Sequence, residues 1–322
     1  MSTEEFSADF FKVPAYALVI GISRHAHGKE PGQPLDDKDF TNLSVAAKDA
    51  EDFARFLEEN GCVPTNVHSL LNEQADFKSI KQEFYKLSKK CKQHKEQKKE
   101  NPLVIVYFSG HGYADDDAHR YLIPYDAERD DLFSTALSTK GFDDLLGELE
   151  TNKLVVFLDA CHSGAMSMPP PPGAKGPGLA YNPAQDLGEG EGRYVIASCK
   201  PGQRSWEQGQ NSIFTRHLLE LLRCKTDDIT DEEITTFNLF EPLKERVRAS
   251  ASELEKEQEP FIPRVEGGTG IVLAINKRAR EQRIARNAKD RDQRFTPGSR
   301  EQKHTCHRRH RKRPPKTQKL RE

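Results

Sequence analysis

The sequence predicts an α/β fold, in which a mostly parallel central sheet of about six strands carries helices on both faces. Two short apolar runs, residues 103–108 and 154–158, have the length and the β-branched and aromatic content of buried strands. Segments with apolar residues at helical spacing alternate with such runs along most of the chain. Strands separated by helices are joined by right-handed crossovers, which makes consecutive strands parallel.

The predicted elements alternate between strands and helices from the start of the domain. Apolar residues at helical spacing predict a helix over 45–59, and Gly61 ends it because glycine readily adopts the left-handed conformation of a helix C-terminus. The Lys-rich connector 92–101 is interpreted as the solvated end of a second helix. In chain order, the elements are strand 16–22, helix 45–59, strand 67–71, helix 80–91, strand 103–108, helix 142–149, strand 154–158, strand 193–198, helix 212–222 and strand 271–275.

Composition favours one large domain with appendages. The chain has 322 residues, of which 35% are hydrophobic, enough for one α/β core but not for a second independent one. We expect a globular domain over 15–276 and a short extension at 1–14. Within the domain, a flexible linker at 165–192 contains six Pro and six Gly, which break regular structure.

The N-terminus and the cysteines indicate a cytoplasmic protein. The first residues are acidic where a secretory signal would be basic, and no apolar stretch approaches the ~20 residues that span a bilayer. The six cysteines show no CxxC spacing and no short secreted framework, which fits thiols kept reduced inside a cell. We therefore expect a cytoplasmic location and no membrane span.

The net charge of −2 hides a division between the body and the tail of the chain. Residues 277–322 contain 18 Lys and Arg against 5 Asp and Glu, a net charge of +13, while the rest has 31 against 46, or −15. This basic tail is poor in apolar residues, so we expect it to be mostly disordered. It is either a contact for a polyanion such as nucleic acid, an anionic membrane or an acidic partner, or a solubilising extension.

Chemistry-bearing residues follow both apolar runs in the middle of the chain. His111 stands in Ser-Gly-His-Gly after the first run, and Cys161 stands in Asp-Ala-Cys-His-Ser-Gly after the second, fifty positions later. Parallel neighbouring strands deliver their C-terminal ends to the same sheet edge, where ligands collect. A thiol and an imidazole on adjacent loops can therefore meet as nucleophile and base. Taken singly, Cys161 also fits a small buried hydrophobe, and His111 a hydrogen-bonded loop histidine.

An ordered set of segments resembles the caspase-like cysteine peptidases, and among them the metacaspases and orthocaspases. The interval between His111 and Cys161 is typical of that family. The resemblance implies the caspase-hemoglobinase type of α/β fold and a cysteine-type endopeptidase activity. Besides the two motifs, the segments that carry it are 17–22, 48–50, 121–124, 201–206 and 212–215.

The resemblance also implies the catalytic roles. Cys161 is the attacking sulfur, and His111 accepts its proton and later protonates the departing amine. Backbone N–H groups of Cys161 and Gly112 hold the developing oxyanion, and the family pattern requires no third acidic residue. We expect no cofactor and no metal. Acidic residues within 115–131 offer oxygen ligands for calcium, but residues 165–168 lack the aspartate of calcium-dependent relatives.

Substrate preference follows from charge at the positions that match the caspase pocket. Leu43, Asp159 and Glu207 stand where true caspases carry two Arg and a Gln, and Asp49 adds a further carboxylate. Carboxylates repel a substrate Asp but form a bidentate pair with Arg and a single strong bond with Lys. An unmatched buried charge costs ~2–5 kcal/mol, so we expect cleavage after Arg, then Lys, by a preference of more than about tenfold.

Two further residues belong to the predicted pocket, and each acid has an alternative interpretation. Trp206 is expected to form a neighbouring apolar subsite rather than core, and the Ser109 hydroxyl to line the wall. Alternatively, Asp159 caps the following turn, Asp49 lies on a solvated helix face, and Glu207 points outward.

The linker carries the candidate self-cleavage point. Lys175 is its only basic residue, so an Arg/Lys-directed enzyme would cut there, unless the linker is an ordinary exposed loop.

Two other functions stay open. The protein could be a caspase-like scaffold or adaptor with little or no proteolysis, or a nucleic-acid-tethered protein that acts through the tail 277–322. We expect a monomer whose substrates are proteins or peptides with Arg or Lys before the scissile bond.

Overall fold

The computed structural model describes residues 15–115, 117, 119–160, 192–200, 202–266 and 270–295. Its strands are β1 (Ala15–Gly21), β2 (Gly28–Lys29), β3 (Phe40–Thr41), β4 (Val67–Leu71), β5 (Leu103–Gly110), β6 (Gly112–Ala114), β7 (Arg120–Leu122), β8 (Leu137–Ser138), β9 (Lys153–Ala160), β10 (Gly192–Ala197), β11 (Glu207–Gln208), β12 (Asn211–Ser212), β13 (Glu233–Thr235), β14 (Phe261–Glu266) and β15 (Val272–Ile275). Its helices are α1 (Ala46–Glu59), α2 (Phe77–Lys98), α3 (Leu132–Thr135), α4 (Thr139–Gly147), α5 (Ile213–Leu222), α6 (Thr236–Glu253) and α7 (Lys277–Phe295).

The central sheet of the described residues has six strands in the order β14-β10-β9-β5-β1-β4. The strands from β10 to β4 run parallel, and β14 pairs with β10 in the antiparallel direction at one edge. Strand β5 is buried along its whole length, as expected for a strand of a parallel sheet that is covered on both faces. The predicted α/β class and the mostly parallel sheet of about six strands are therefore confirmed.

One predicted strand lies outside this sheet. The sequence predicts residues 271–275 as the last core strand, but Val272–Ile275 pairs with β13 in a separate two-stranded sheet. The sixth strand is β14, which the apolar pattern does not predict because Pro263 interrupts it and Val265 is exposed. Proline is tolerated in an edge strand, where one side of the backbone needs no ladder partner.

Helices cover both faces of the sheet, as predicted. Successive residues of β1 point to opposite faces, so Ala17 and Val19 join one apolar cluster and Leu18 and Ile20 join the other. Helices α1, α5 and α6 pack on the first face, and α2 and α4 on the second. Helix α6, which is not among the predicted elements, covers part of the first face.

Helix α1 is fitted closely against the end of β1. A Cβ atom on Gly21 would lie 2.5 Å from the Cβ of Ala50, so only glycine allows this approach. At the other end, Gly61 has a φ of 92°, and the N–H of Cys62 donates to the carbonyl of Leu57 at 2.9 Å. This Schellman arrangement confirms the predicted helix end, and the close approach brings the first turn of α1 to the C-terminal edge of the sheet.

The chain divides into two units, Met1–Arg280 and Glu281–Glu322. Helix α7 spans 19 residues at the start of the tail that the sequence predicts to be mostly disordered. Its Ala, Arg, Lys, Glu and Gln residues have high helix propensity, which explains a helix without an apolar face. Polyanion contact by the tail stays a prediction. None of the described helices has the length and the apolar character that crossing a bilayer requires.

Candidate active site

Strands β5 and β9 end side by side at the C-terminal edge of the sheet. Their parallel register pairs the last residues of the two strands, Gly110 and Ala160. His111 and Cys161 are the next residues in the sequence after each of these two. Cys161 and the linker residue Lys175 lie outside the described residues.

The imidazole of His111 makes one hydrogen bond through a ring nitrogen and lies beside two aromatic rings. Its Nε2–H donates to the backbone carbonyl of Thr41 at 2.6 Å, and a carbonyl can only accept, so Nδ1 keeps its lone pair in the neutral ring. The ring centroid lies 5.4 Å from that of His25 and 6.0 Å from that of Phe40. Burial lowers the pKa of His111, which favours the neutral form that a general base requires.

His25 lies beside this imidazole and is absent from the predicted site. It is 6% exposed, and its Nδ1–H donates to the backbone carbonyl of Pro124 at 3.1 Å. Burial, and then the proximity of His111, lower the pKa of His25 to about 3. His25 is therefore neutral at physiological pH. It lies in an irregular loop after β1, where apolar periodicity carries no signal.

The predicted oxyanion donor Gly112 lies opposite Leu122 at the start of β6. The N–H of Ile123 donates to the carbonyl of His111 at 3.1 Å, which sets the alternation of this antiparallel ladder. Gly112 and Leu122 therefore form a non-hydrogen-bonded pair, and the N–H of Gly112 points away from β7. The β6–β7 ladder does not use this donor.

A small recess lies at the sheet edge beside His111. Its volume is about 40 Å³, which is room for about three water-sized groups. Leu43, which matches the first caspase Arg, also lines it. The structure brings together around this recess all the predicted pocket residues: Asp49, Ser109, Asp159, Trp206 and Glu207.

Asp159 lies at the bottom of a cluster of hydroxyl groups. It is 3% exposed. The hydroxyl of Ser205 donates to Oδ1 at 2.5 Å, and the hydroxyls of Thr215 and Ser212 donate to Oδ2, that of Thr215 at 3.0 Å. All three donors come from the part of the chain that follows the linker.

Asp49 is fully buried, so the alternative that it lies on a solvated helix face is wrong. It belongs to the buried stripe of α1, together with Ala46 and Ala50. Its Oδ1 accepts from the side-chain amide of Asn211 at 2.8 Å, and both of its oxygens accept from the backbone N–H of Ser212 at 3.2 Å.

The two buried carboxyl groups lie close enough to repel each other when both are ionised. Burial, and then the charge of Asp159, raise the pKa of Asp49 to about 8. Burial also raises the pKa of Asp159. In the part of the chain that the structure describes, no Lys or Arg forms an ion pair with either group. A cation that entered the recess would relieve the repulsion between them.

Glu207 is exposed, and its carboxylate accepts hydrogen bonds from the backbone just before α1. Its Oε1 accepts from the backbone N–H groups of Ser44 at 3.0 Å and Val45 at 3.1 Å. The N-cap residue Val45 has no side chain that can accept a hydrogen bond. Glu207 therefore caps the two backbone N–H groups that precede the helix, and its negative charge lies at the positive end of the helix. Within the first turn, the N–H of Ala47 donates to the hydroxyl of Ser23 at 2.8 Å.

Substituting Glu207 tests this cap. We expect Glu207→Ala to lower the free energy of unfolding by about 0.5–2 kcal/mol, because two backbone donors lose their acceptor. Glu207→Gln retains an acceptor oxygen and should lose less. Urea denaturation of the two variants and the parent measures both effects. Equal stability of all three proteins would contradict a capping role.

Ser109 and Trp206 form two sides of the recess. The Ser109 hydroxyl is 3.5 Å from Oδ2 of Asp49. Trp206 is half-buried and packs against the apolar cluster on the first sheet face, and Nζ of Lys256 lies 4.8 Å from its ring centroid. Trp206 therefore belongs partly to the core and partly to the recess, whereas the expectation was a subsite rather than core.

Several residues that shape the recess are absent from the predicted site. Ser205 and Ser212 lie in the segments that carry the family resemblance, so a motif signal for them existed. The backbone carbonyl of Thr41 has no sequence signal, because every residue has a carbonyl. Gln258, which accepts from the backbone N–H of Trp206 at 3.0 Å, lies in an irregular segment after α6.

Three of the described cysteines are poor candidates for an alternative nucleophile. Burial raises the pKa of Cys62 to about 11 and that of Cys91 to about 12, and it also raises the pKa of Cys224. Thiols that stay protonated at neutral pH are poor nucleophiles. Among the residues that the structure describes, no three His, Cys, Asp or Glu side chains are grouped as a metal site would require.

Comparison with known proteins identifies the sequence family. The Peptidase C14 family model, described as the caspase domain, matches residues 14–265. A solved protein from Geobacter sulfurreducens has a TM-score of 0.50 and 17% identity, over 79% of this chain and 94% of that chain. Caspase-1 from Spodoptera frugiperda has a TM-score of 0.47 and 16% identity, over 81% of this chain and 90% of that chain. The likeness to the Geobacter protein is one of fold. No curated protein matches the chain.

Proposed function

Because the chain belongs to the caspase-domain family of cysteine peptidases, we propose that it is an endopeptidase that cleaves peptide bonds after Arg and, more slowly, after Lys. The observation that carries the proposal is the buried carboxylate pair Asp49 and Asp159 in a recess that His111 also lines. The recess is anionic and holds no cationic side chain among its described lining residues, so it suits a basic group brought by a substrate.

In the proposed reaction, Cys161 and His111 act as a dyad. The thiol gives its proton to Nδ1 of His111, because Nε2–H is already donated to Thr41, and the sulfur attacks the carbonyl carbon of the scissile bond. The backbone N–H groups of Gly112 and Cys161 stabilise the oxyanion. His111 then protonates the leaving amine, and a water molecule that His111 deprotonates hydrolyses the thioester.

The carboxylate pair supports this specificity through charge and shape. A guanidinium presents several N–H donors in one plane and stays charged, so it can bind both Asp49 and Asp159. A Lys ammonium brings the same charge but no planar fork. A substrate Asp would bring a further negative charge to a buried site that offers it no cation, which costs ~2–5 kcal/mol if it stays unmatched.

A panel of fluorogenic peptides tests the proposal. Peptides that differ only in Arg, Lys, citrulline or Asp before the reporter group are incubated with the full chain, with and without calcium. We expect turnover in the order Arg, then Lys, with Asp and citrulline lower than Arg by at least about tenfold. Cys161→Ala should abolish turnover of every peptide, and the intact mass of the wild-type chain should report any cut after Lys175.

Each other outcome has a defined meaning. Turnover of the Asp peptide above the Arg peptide would contradict the proposed specificity. Absence of turnover with every peptide, in calcium and without it, would contradict the peptidase activity and favour the scaffold interpretation. Turnover that survives in Cys161→Ala would mean that another group is the nucleophile.

A further inference from the structure

Gln258 connects three parts of the chain that meet at the recess. Its side chain is 2% exposed. The side-chain Nε2 donates to the backbone carbonyl of Ser198 at 3.1 Å and to the hydroxyl of Ser205 at 3.2 Å. Its Oε1 accepts from the backbone N–H of Trp206 at 3.0 Å. The backbone partners fix this orientation, because a carbonyl can only accept and an N–H can only donate.

This orientation determines which group accepts the hydrogen bond that the Ser205 hydroxyl donates. Because Ser205 accepts from Nε2 of Gln258, its own O–H is free to donate to Oδ1 of Asp159. The Ser212 hydroxyl is constrained in the same way, because it accepts from the backbone N–H of Thr215 and donates to Oδ2 of Asp159. Both oxygens of Asp159 are therefore acceptors, and donors aimed at a carboxylate stabilise its ionised form.

We propose that Gln258 is a positioning residue for substrate recognition, which keeps Asp159 in the ionised form that a guanidinium requires. The inference rests on the proposed function, since it concerns the same recess. Gln258 does not line the recess with the carboxylates, and it acts through Ser205 and through the position of Trp206. The substrate chemistry it serves is the charge of the residue before the scissile bond.

A binding experiment on the full chain carrying Cys161→Ala separates recognition from turnover. The probes are Nα-acetyl-arginine amide and Nα-acetyl-citrulline amide, which have nearly the same shape but differ in charge, and calorimetry measures both affinities. We expect the parent to prefer the arginine probe. Gln258→Glu, which cannot donate, and Gln258→Met, which lacks polar atoms, should each lower the arginine affinity by at least about tenfold. The citrulline affinity should change by less than about twofold.

Gln203→Met is the matched control. Gln203 is a second amide in the same region, and its side-chain oxygen accepts from the backbone N–H groups of Lys200 and Glu259 rather than from Ser205 or Trp206. This control should retain the arginine preference, and circular dichroism verifies that each variant is folded.

Three outcomes would overturn the inference or its premise. An arginine preference that persists in both Gln258 variants contradicts the role of Gln258 but leaves the proposed specificity intact. An equal loss of both affinities shows a merely structural role. A parent that does not prefer arginine contradicts the proposed specificity itself, and the inference fails with it.

Discussion

Replacing His111 with alanine should lower kcat on the Arg peptide by about 10²–10⁴-fold. The imidazole takes the thiol proton and returns it to the leaving amine, and its loss removes both transfers. KM should change little, because the carboxylates that bind the basic group remain. Initial rates at several peptide concentrations separate the two parameters.

The pH profile and a second histidine complete this test. Burial lowers the pKa of His111 from its ordinary value of 6.5. The midpoint of the acidic limb in the wild-type pH–activity profile, which reports the titration of His111, should therefore lie below pH 6.5. His119→Ala removes an exposed histidine whose Nδ1 is 3.2 Å from Asp115, and it should leave kcat unchanged. An activity of His111→Ala within about threefold of the wild type would exclude His111 as the base.

Asp49→Asn should impair recognition and stabilise the fold at the same time. The amide keeps the shape of the side chain but cannot ionise when a guanidinium enters, so kcat/KM on the Arg peptide should fall by at least about thirtyfold, equivalent to ~2 kcal/mol. The same change removes the repulsion with Asp159 and the burial cost of the charge. The free energy of unfolding above pH 8 should therefore rise by about 1 kcal/mol or more.

The sign of the pH dependence follows from the raised pKa. Asp49 has a pKa of about 8 in the folded protein against 3.8 ordinarily, so between these values the folded state holds a proton that the unfolded chain has released. Stability from this group consequently falls as pH rises from about 4 to about 8. Thermal unfolding across this range should show the fall in the wild type and a smaller fall in Asp49→Asn.

Glu51→Gln provides the charge-matched control. Glu51 lies on the same helix but is exposed, so its substitution should change neither the Arg preference nor the slope of stability with pH. If Asp49→Asn and Glu51→Gln behaved alike, the burial of Asp49 would have no energetic consequence, and the carboxylate pair would not explain specificity.

The sequence predicts the parts of the fold that depend on continuous apolar patterns. Strands β5 and β9 and the Schellman end of α1 follow from buried runs and from Gly61, because these signals are local. The strand pairing that brings Gly110 next to Ala160 follows from parallel topology. The grouping of Asp49 with Asp159 required the family resemblance, although the apolar spacing of α1 already includes position 49 in its buried stripe.

The rest depends on contacts between distant segments, which local patterns do not record. Strand β14 lacks an apolar run because it lies at an edge, and its pairing with β10 exists only in the folded chain. The capping of α1 by Glu207 joins positions 163 residues apart, and the hydrogen bond from His111 uses a backbone carbonyl. Gln258 is a polar residue in an irregular segment, so its burial is a tertiary effect.

Strands β9 and β10 are adjacent in the sheet although residues 161–191 separate them in the sequence. Everything before that interval contributes β1, β4, β5 and β9 to the sheet, and everything after it contributes β10 and β14. The apolar cluster on the first face likewise draws residues from both portions, such as Phe53 and Phe214. A single scission within the interval would therefore yield a non-covalent two-chain complex, since dissociation would expose an apolar interior and break the β9–β10 ladder.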